Sequence, residues 1–205
     1  MSYAVAELRN GMFHVKHEGL GPAQHDRLSV FESLLRERAV RLGMIAESDL
    51  PRLRERHIED CLRAADLVEP GDSRACDLGS GAGLPGIVVG IAKPSLLVIL
   101  AEGRRKRAAF LEFAIERLGL DNVRVHAGRV QELGDLVDLC FARAFGDARV
   151  AWRAAQPLLR PGGRLVYFGG RSFDAVRDAP ENTRIEVRAD LPIERFGPLV
   201  IMARK

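Results

Sequence analysis

Cysteine, aromatic residues and long apolar runs are all scarce in this chain. Its three cysteines, Cys61, Cys76 and Cys140, are odd in number and lack metal-ligand spacing. That pattern excludes a disulfide scaffold and a cysteine-built zinc site, and it reads as reduced thiols in the cytoplasm. No apolar stretch approaches the ~20 residues that a membrane-crossing helix needs. The first residues do not read as a secretion signal. Aromatics make up 6% of the residues, and none interleaves with the basic run at Arg104–Arg107, so an open platform for stacking bases is not indicated. No internal repeat or low-complexity segment is present, and no catalytic histidine or carboxylate motif stands out.

What is there is the material of one globular core. The 205 residues are 47% hydrophobic, enough for a single domain with a small extension. Net charge is only +3, but the pI is about 9.0 and the basic residues cluster. That balance suits an RNA partner better than a membrane, and many enzymes of neutral substrates share it.

The chain is organised around Asp77-Leu-Gly-Ser-Gly-Ala-Gly-Leu-Pro-Gly86. Gly79, Gly81 and Gly83 stand at alternate positions, so the backbone can turn sharply and approach a ligand with no Cβ between. The apolar run Ile87–Ala92 reads as a buried helix after the turn, its free N–H groups facing the ligand. Glu102 ends the apolar run Leu96–Ala101, 19 residues after Gly83. An acid there can accept hydrogen bonds from both ribose hydroxyls of an adenosine cofactor. The Asp-x-Gly-x-Gly-x-Gly turn differs from the G-x-G-x-x-G usual for NAD, and resembles the turn of S-adenosylmethionine (SAM) methyltransferases.

From Ser73 onward, short apolar runs alternate with amphipathic helices, the pattern of a parallel α/β sheet. Strands are expected at Arg74–Leu78, Leu96–Ala101, Val123–His126, Val137–Phe141 and Arg164–Phe168. Residues 184–189 and 198–204 are expected to pair as the sixth and seventh strands, without a helix between. Helices are expected over Arg107–Leu118, ended by Gly119, and over Ala148–Leu159, closed by Arg160-Pro-Gly-Gly163. The expected fold class is α/β, and with the glycine turn the pattern resembles a Rossmann-like, class I SAM-dependent methyltransferase sheet of seven strands, the last antiparallel, with an N-terminal helical extension. Residues 1–22 read as a flexible tail, 23–70 as the extension and 71–205 as the catalytic domain. Within the extension, Leu28, Phe31, Leu34, Leu35 and Val40 form one stripe of a helix over 24–42. A second helix follows Ser48-Asp-Leu-Pro51 and runs from Arg54 to about Leu67.

In an open α/β sheet, ligands bind beyond the carboxyl ends of the strands. Gly79–Gly83, Glu102, the turn Gly128-Arg129-Val130-Gln131 and Arg143 all fall there. Backbone groups of Val130 and Gln131 are placed to read an adenine edge; Arg129 is equally well an ordinary surface arginine. Arg143 follows the fourth strand and points into the cleft, where its planar fork suits a phosphate or base oxygen. The competing reading is a salt bridge to Asp138 or Asp147. Arg104-Arg105-Lys106-Arg107 is either a solvated helix start or a phosphate contact. Four cations at a helix N-terminus oppose its dipole, which favours the second. Arg52, Arg54, Arg56, His57 and Arg63 on the extension are either a solvated helix face or part of the same basic rim.

The hexapeptide Met12-Phe-His-Val-Lys-His17 has no clear protein-level role: a frayed polar tail is one reading, a metal or phosphate site another. The codons ATG TTT CAC GTG AAA CAT would encode it as a perfect DNA palindrome resembling the bacterial chromosome-partition site. Met12 is also a candidate alternative start.

The signature at 77–86 resembles that of the glucose-inhibited division protein B family, the bacterial 16S rRNA guanine-N7 methyltransferases. Four further stretches agree: Leu50-Pro-Arg-Leu-Arg-Glu-Arg-His-Ile-Glu-Asp-Cys61, Glu102-Gly-Arg-Arg-Lys-Arg-Ala-Ala-Phe-Leu111, Gly128-Arg-Val-Gln-Glu132 and Ala142-Arg-Ala-Phe145. The resemblance covers roughly residues 27 to 170. It implies SAM as cofactor, S-adenosylhomocysteine as product, and 16S rRNA or the small ribosomal subunit as partner. The candidate cofactor residues are Asp77, Gly79, Ser80, Gly81, Gly83, Leu84, Glu102, Gly103, Arg129, Val130, Gln131 and Arg143, with Arg143 also at the reacting centre. The candidate RNA contacts are Arg54, Arg56, His57, Arg104, Arg105, Lys106 and Arg171. Two departures bear on the substrate side. The family often has Trp where Arg54 stands, and a Leu-Lys-Gly where this chain has Phe168-Gly-Gly-Arg171, leaving Arg171 to supply the charge. A monomer without metal or membrane association is expected. Two other functions stay open at this point: methylation of a small cytosolic molecule, and a non-catalytic SAM- or RNA-binding module.

Overall fold

The computed structural model describes residues 19–134, 136–188 and 196–205. The hexapeptide 12–17, Asp135 and the end of the expected sixth strand at 189 lie outside them. Seven strands arise from the apolar runs, six running in one direction and one, the last in sequence, against them. They are β1 (Arg74–Leu78), β2 (Leu97–Ala101), β3 (Val123–His126), β4 (Val137–Ala142), β5 (Leu159–Phe168), β6 (Thr183–Arg188) and β7 (Leu199–Arg204). Their spatial order is β3-β2-β1-β4-β5-β7-β6, with β7 antiparallel to both neighbours. The order reverses between β1 and β4, and ligands of such sheets bind at that switch point.

Side chains alternate across the sheet with the period of two. Ala75, Val98, Leu100, Leu139, Phe141 and Val166 face one buried cluster. Cys76, Leu78, Ile99, Cys140, Ala142, Leu165 and Tyr167 face the other. The first face is covered by α1 (Pro22–Leu34), α2 (Asp60–Ala65), α3 (Gly86–Ala92) and α4 (Arg105–Leu118). The second is covered by α5 (Ala148–Ala155), whose Ala148, Ala151, Trp152 and Ala155 are buried. The extension shares the core of the sheet: Leu28, Phe31, Leu34, Leu53, Ile58 and Leu62 lie in one cluster with Ile87, Val88 and Val89.

Several boundaries differ from expectation, each for a local reason. The helix expected over 24–42 is α1 followed by a wider turn at Leu35–Ala39. The segment after Ser48 is a tight turn, Glu47–Arg52, then a wide one, Arg54–Glu59, then α2. Arg160-Pro-Gly-Gly163 is not a helix stop but a bulge inside β5: Val137 pairs with Leu159 and Leu139 already with Arg164. Gly162, at φ 82°, permits it. A four-residue helix, α6 (Ala175–Asp178), stands between β5 and β6, where none was expected; Asp174 caps it through Val176 N and Arg177 N. No described helix is long and apolar enough to cross a membrane. Among the described residues no group of three or more His, Cys, Asp or Glu is arranged to hold a metal ion.

Candidate functional site

The glycine turn leaves β1 at the switch point. Gly79, Gly81 and Gly83 all have positive φ, at 66°, 57° and 86°. Two of them are hemmed in by protein: a Cβ on Gly79 would lie 2.7 Å from the Phe145 ring, and one on Gly83 2.5 Å from Ile87 Cδ1. Gly81 is different. A Cβ there meets nothing closer than 3.8 Å, so its main chain is the part of the turn that opens outward.

Glu102, 5% exposed, stands behind this opening. Its Oε2 accepts from Gly81 N at 3.0 Å and its Oε1 from Arg104 N at 2.8 Å. A carboxylate has about four acceptor positions, so it can brace the turn and still receive hydroxyls. Gly103 beside it is exposed. The third side is the turn Val130–Glu132, with Val130 buried and Arg129 and Gln131 exposed.

Asp77, Ser80 and Leu84 take supporting places. Asp77 Oδ2 accepts from Gly86 N at 3.0 Å and so anchors the start of α3. Ser80 donates its hydroxyl to Asp77 O at 3.0 Å, and Leu84 is buried in the core beneath. What Ser80 and Leu84 offer a ligand is main chain. Asp77 Oδ1 is buried without a hydrogen-bond partner. Burial raises its carboxyl to about 7, against the Gly86 N–H and the positive charge of Arg143.

Arg143 continues the alternation of β4, so it lies on the same face as Phe141, toward the extension. Its Nη2 donates to Arg56 O at 3.1 Å and to His57 Nδ1 at 2.9 Å. Its Nε is 3.4 Å from Asp60 Oδ2, and its guanidinium carbon is 5.9 Å from the Phe168 ring centroid. The salt bridge weighed from sequence exists, but with Asp60. Asp138 instead ties Ser73 and Arg160 at the opposite end of the strands, and Asp147 caps α5.

Several basic side chains of the extension are held by acids. His57 is not a surface cation: its side chain is 13% exposed and its Nε2 donates to Asp49 Oδ2 at 3.0 Å. Arg56 pairs with Asp49, Arg54 with Glu32 and Arg63 with Asp60. Asp49 from the turn before α2, Glu32 from α1 and Asp60 on α2 itself pair with cations of the face that the sequence shows as basic. Arg104, Arg105 and Lys106 are exposed and form no ion pair among the described residues. Arg171 is exposed in the turn after β5. Asp49, Asp60 and Phe145 are the residues that sequence reasoning missed as parts of this site. The spacing of His57 and Asp60, three apart on one helical face, was the available signal.

A family model described as rRNA small subunit methyltransferase G (GidB) matches residues 24–196. Relatives named ribosomal RNA small subunit methyltransferase G include one from Kineococcus radiotolerans, 38% identical over 84% of this chain and 70% of its own length. One from Corynebacterium diphtheriae is 36% identical over 80% and 79%. One from Thermobifida fusca is 40% identical over 71% of this chain, which spans 62% of that relative's length. Two solved structures show the same fold. Cofactor-bound Rv0187 from MTB has a TM-score of 0.59 at 20% identity, over 92% of both chains. A MtNAS mutant in complex with S-adenosylmethionine has a TM-score of 0.58 at 21% identity, over 89% of this chain and 76% of that one. With its class I methyltransferase sheet and its glycine turn at the switch point, the chain belongs to the GidB family of rRNA small subunit methyltransferases G.

Proposed function

We propose that this chain transfers the methyl group of S-adenosylmethionine to N7 of a guanine in 16S ribosomal RNA, in the cytoplasm. The observation that carries the reading is the open main chain at Gly81, faced by the buried Glu102 carboxylate, in a chain of this family. The residues present fit the cofactor. Glu102 has acceptor positions left for a ribose, and the 130–132 turn lies beside it for an adenine.

Bound there, S-adenosylmethionine supplies an electrophilic methyl group. Guanine N7 carries a lone pair and no proton, so the site needs no general base. The protein's part is alignment and the fixed field of its charges. Arg143 is the residue we place against the reacting groups. Exposed Arg104, Arg105 and Lys106 lie next to Glu102 in the chain and are placed to hold phosphates, which position RNA without reading its bases.

The test is transfer of labelled methyl from SAM to 16S rRNA, or to small subunits, from a strain lacking the gene. Label in 7-methylguanosine of 16S rRNA is the expected result. Tight SAM binding with label only in a small molecule, or in no acceptor, would overturn the proposal.

A further inference from the structure

Arg143 does not stand alone at the end of β4. Both Nη2 hydrogens have protein acceptors, Arg56 O and His57 Nδ1, and Nε faces Asp60. The Nη1 edge is the part of the fork left without a protein acceptor among the described residues. His57 can accept from an arginine only if Nδ1 carries no proton. Asp49 enforces that: its Oδ2 lies 3.0 Å from Nε2 and takes the one ring proton of the neutral imidazole. The side chains form a line, Asp49–His57–Arg143–Asp60, running from the turn before α2 to the cleft. All three partners of Arg143's line come from the extension and none from the sheet.

We propose that His57, held by Asp49 as the Nε2–H tautomer, is a positioning residue for Arg143, orienting the guanidinium so that its Nη1 edge meets the ligands of the transferase site. This rests on the function proposed above. The extension then does more than cover the sheet: it completes the site. A second proton on His57 would set an N–H against the N–H of Arg143 and remove the acceptor. Charge around the ring is mixed. Asp49 faces it from the preceding turn, Arg56 lies beside it on the same helical segment, and Arg143 faces it from β4. Asp60 and Arg63 act at one remove, through Arg143 and through each other. Burial and the charge of Arg143 hold the imidazole below its usual range, with Asp49 working the other way. The neutral form therefore persists at neutral pH.

Three variants of the full chain test this, assayed for methyl transfer from about pH 5 to about pH 8. His57→Ala is expected to lower kcat by about 10- to 100-fold, because a misplaced arginine loses alignment, with its melting temperature recorded alongside. His57→Asn keeps an oxygen near the Nδ1 position and cannot titrate. It is expected to recover much of the loss and to remove the acid limb that the wild type shows below the usual histidine range. Asp49→Asn should release the tautomer and, because the Asp49 charge raises the imidazole against burial and Arg143, move that limb further downward. Ring ¹⁵N spectra of the free protein provide a readout independent of turnover: His57 should show the Nε2–H tautomer and titrate below the ordinary range. An Nδ1–H tautomer, or an acid limb unchanged in His57→Asn, overturns the positioning role while leaving the methyltransferase intact. Loss of all methyl transfer in the wild type, with the expected tautomer in the spectra, would instead overturn the function.

Discussion

Gly81 and Gly119 have nearly the same backbone, φ 57° and 58°, and space for a Cβ. Only the first lies at the switch point; the second ends α4. A side chain in this left-handed region costs about 1–2 kcal/mol wherever it stands. Gly81→Val and Gly119→Val should therefore lose similar stability, while only Gly81→Val loses SAM binding by calorimetry. Equal affinities would show that the turn is structural. Asp77 makes a second prediction. Its folded carboxyl is raised from 3.8 to about 7, so the folded state holds the proton more tightly than the unfolded chain. Stability from this group is present at low pH and is lost as pH rises toward about 7. Urea unfolding should show a slope of up to about 1.4 kcal/mol per pH unit between about pH 5 and 7, absent in Asp77→Asn. At this scale the glycine turn and Glu102 were legible, because residue type and spacing alone define them. The fate of Arg54, Arg56 and His57 was not. Which acid meets which base depends on α1 and the 47–52 turn folding back beside the helix, and no local pattern carries that.

The extension is docked by two polar side chains near the start of α1. Gln24 Nε2 donates to Ile91 O and Ala92 O, at 2.9 and 3.0 Å, where α3 ends. Arg27 donates to Leu118 O and Gly119 O where α4 ends. Carbonyls at helix ends lack internal partners, and a cation there also suits the dipole. Replacing both residues with alanine should cost about 2 kcal/mol, lowering Tm by about 4–8 °C in a domain of this size. The amphipathic stripe of α1 could be read in advance, and so could β1 to β4. The bulge in β5 could not: Pro161-Gly-Gly163 has turn composition, and its pairing with β4 decides otherwise. At the other end of α4, Arg105 and Lys106 are exposed. Arg105→Ala with Lys106→Ala should weaken RNA binding, leave SAM affinity near wild type, and flatten the log–log salt dependence by about 0.7 per lost phosphate contact. An unchanged slope would mean that these cations are only a solvated helix start.

For the molecule as a whole, the strand order follows from the alternation of apolar runs and helices, and the antiparallel β7 from two strands with little chain between them. The extension's apolar stripe showed a buried helix, but not that its core would be continuous with that of the sheet, since periodicity names the buried face and never the surface that receives it. That shared core has a practical consequence in the thiols. Cys61 sits at the junction of extension and sheet, while Cys76 and Cys140 are paired neighbours in β1 and β4; all are buried, and burial holds each thiol well above its usual range. None should react with a maleimide while the native packing holds. The chain thus carries three built-in clocks, one for the seam and two for the sheet. If the extension opens as a unit, Cys61 is alkylated first, at a rate that Gln24→Ala and Arg27→Ala accelerate. Simultaneous labelling of all three, read by mass spectrometry of the peptides, would show that seam and sheet come apart only together.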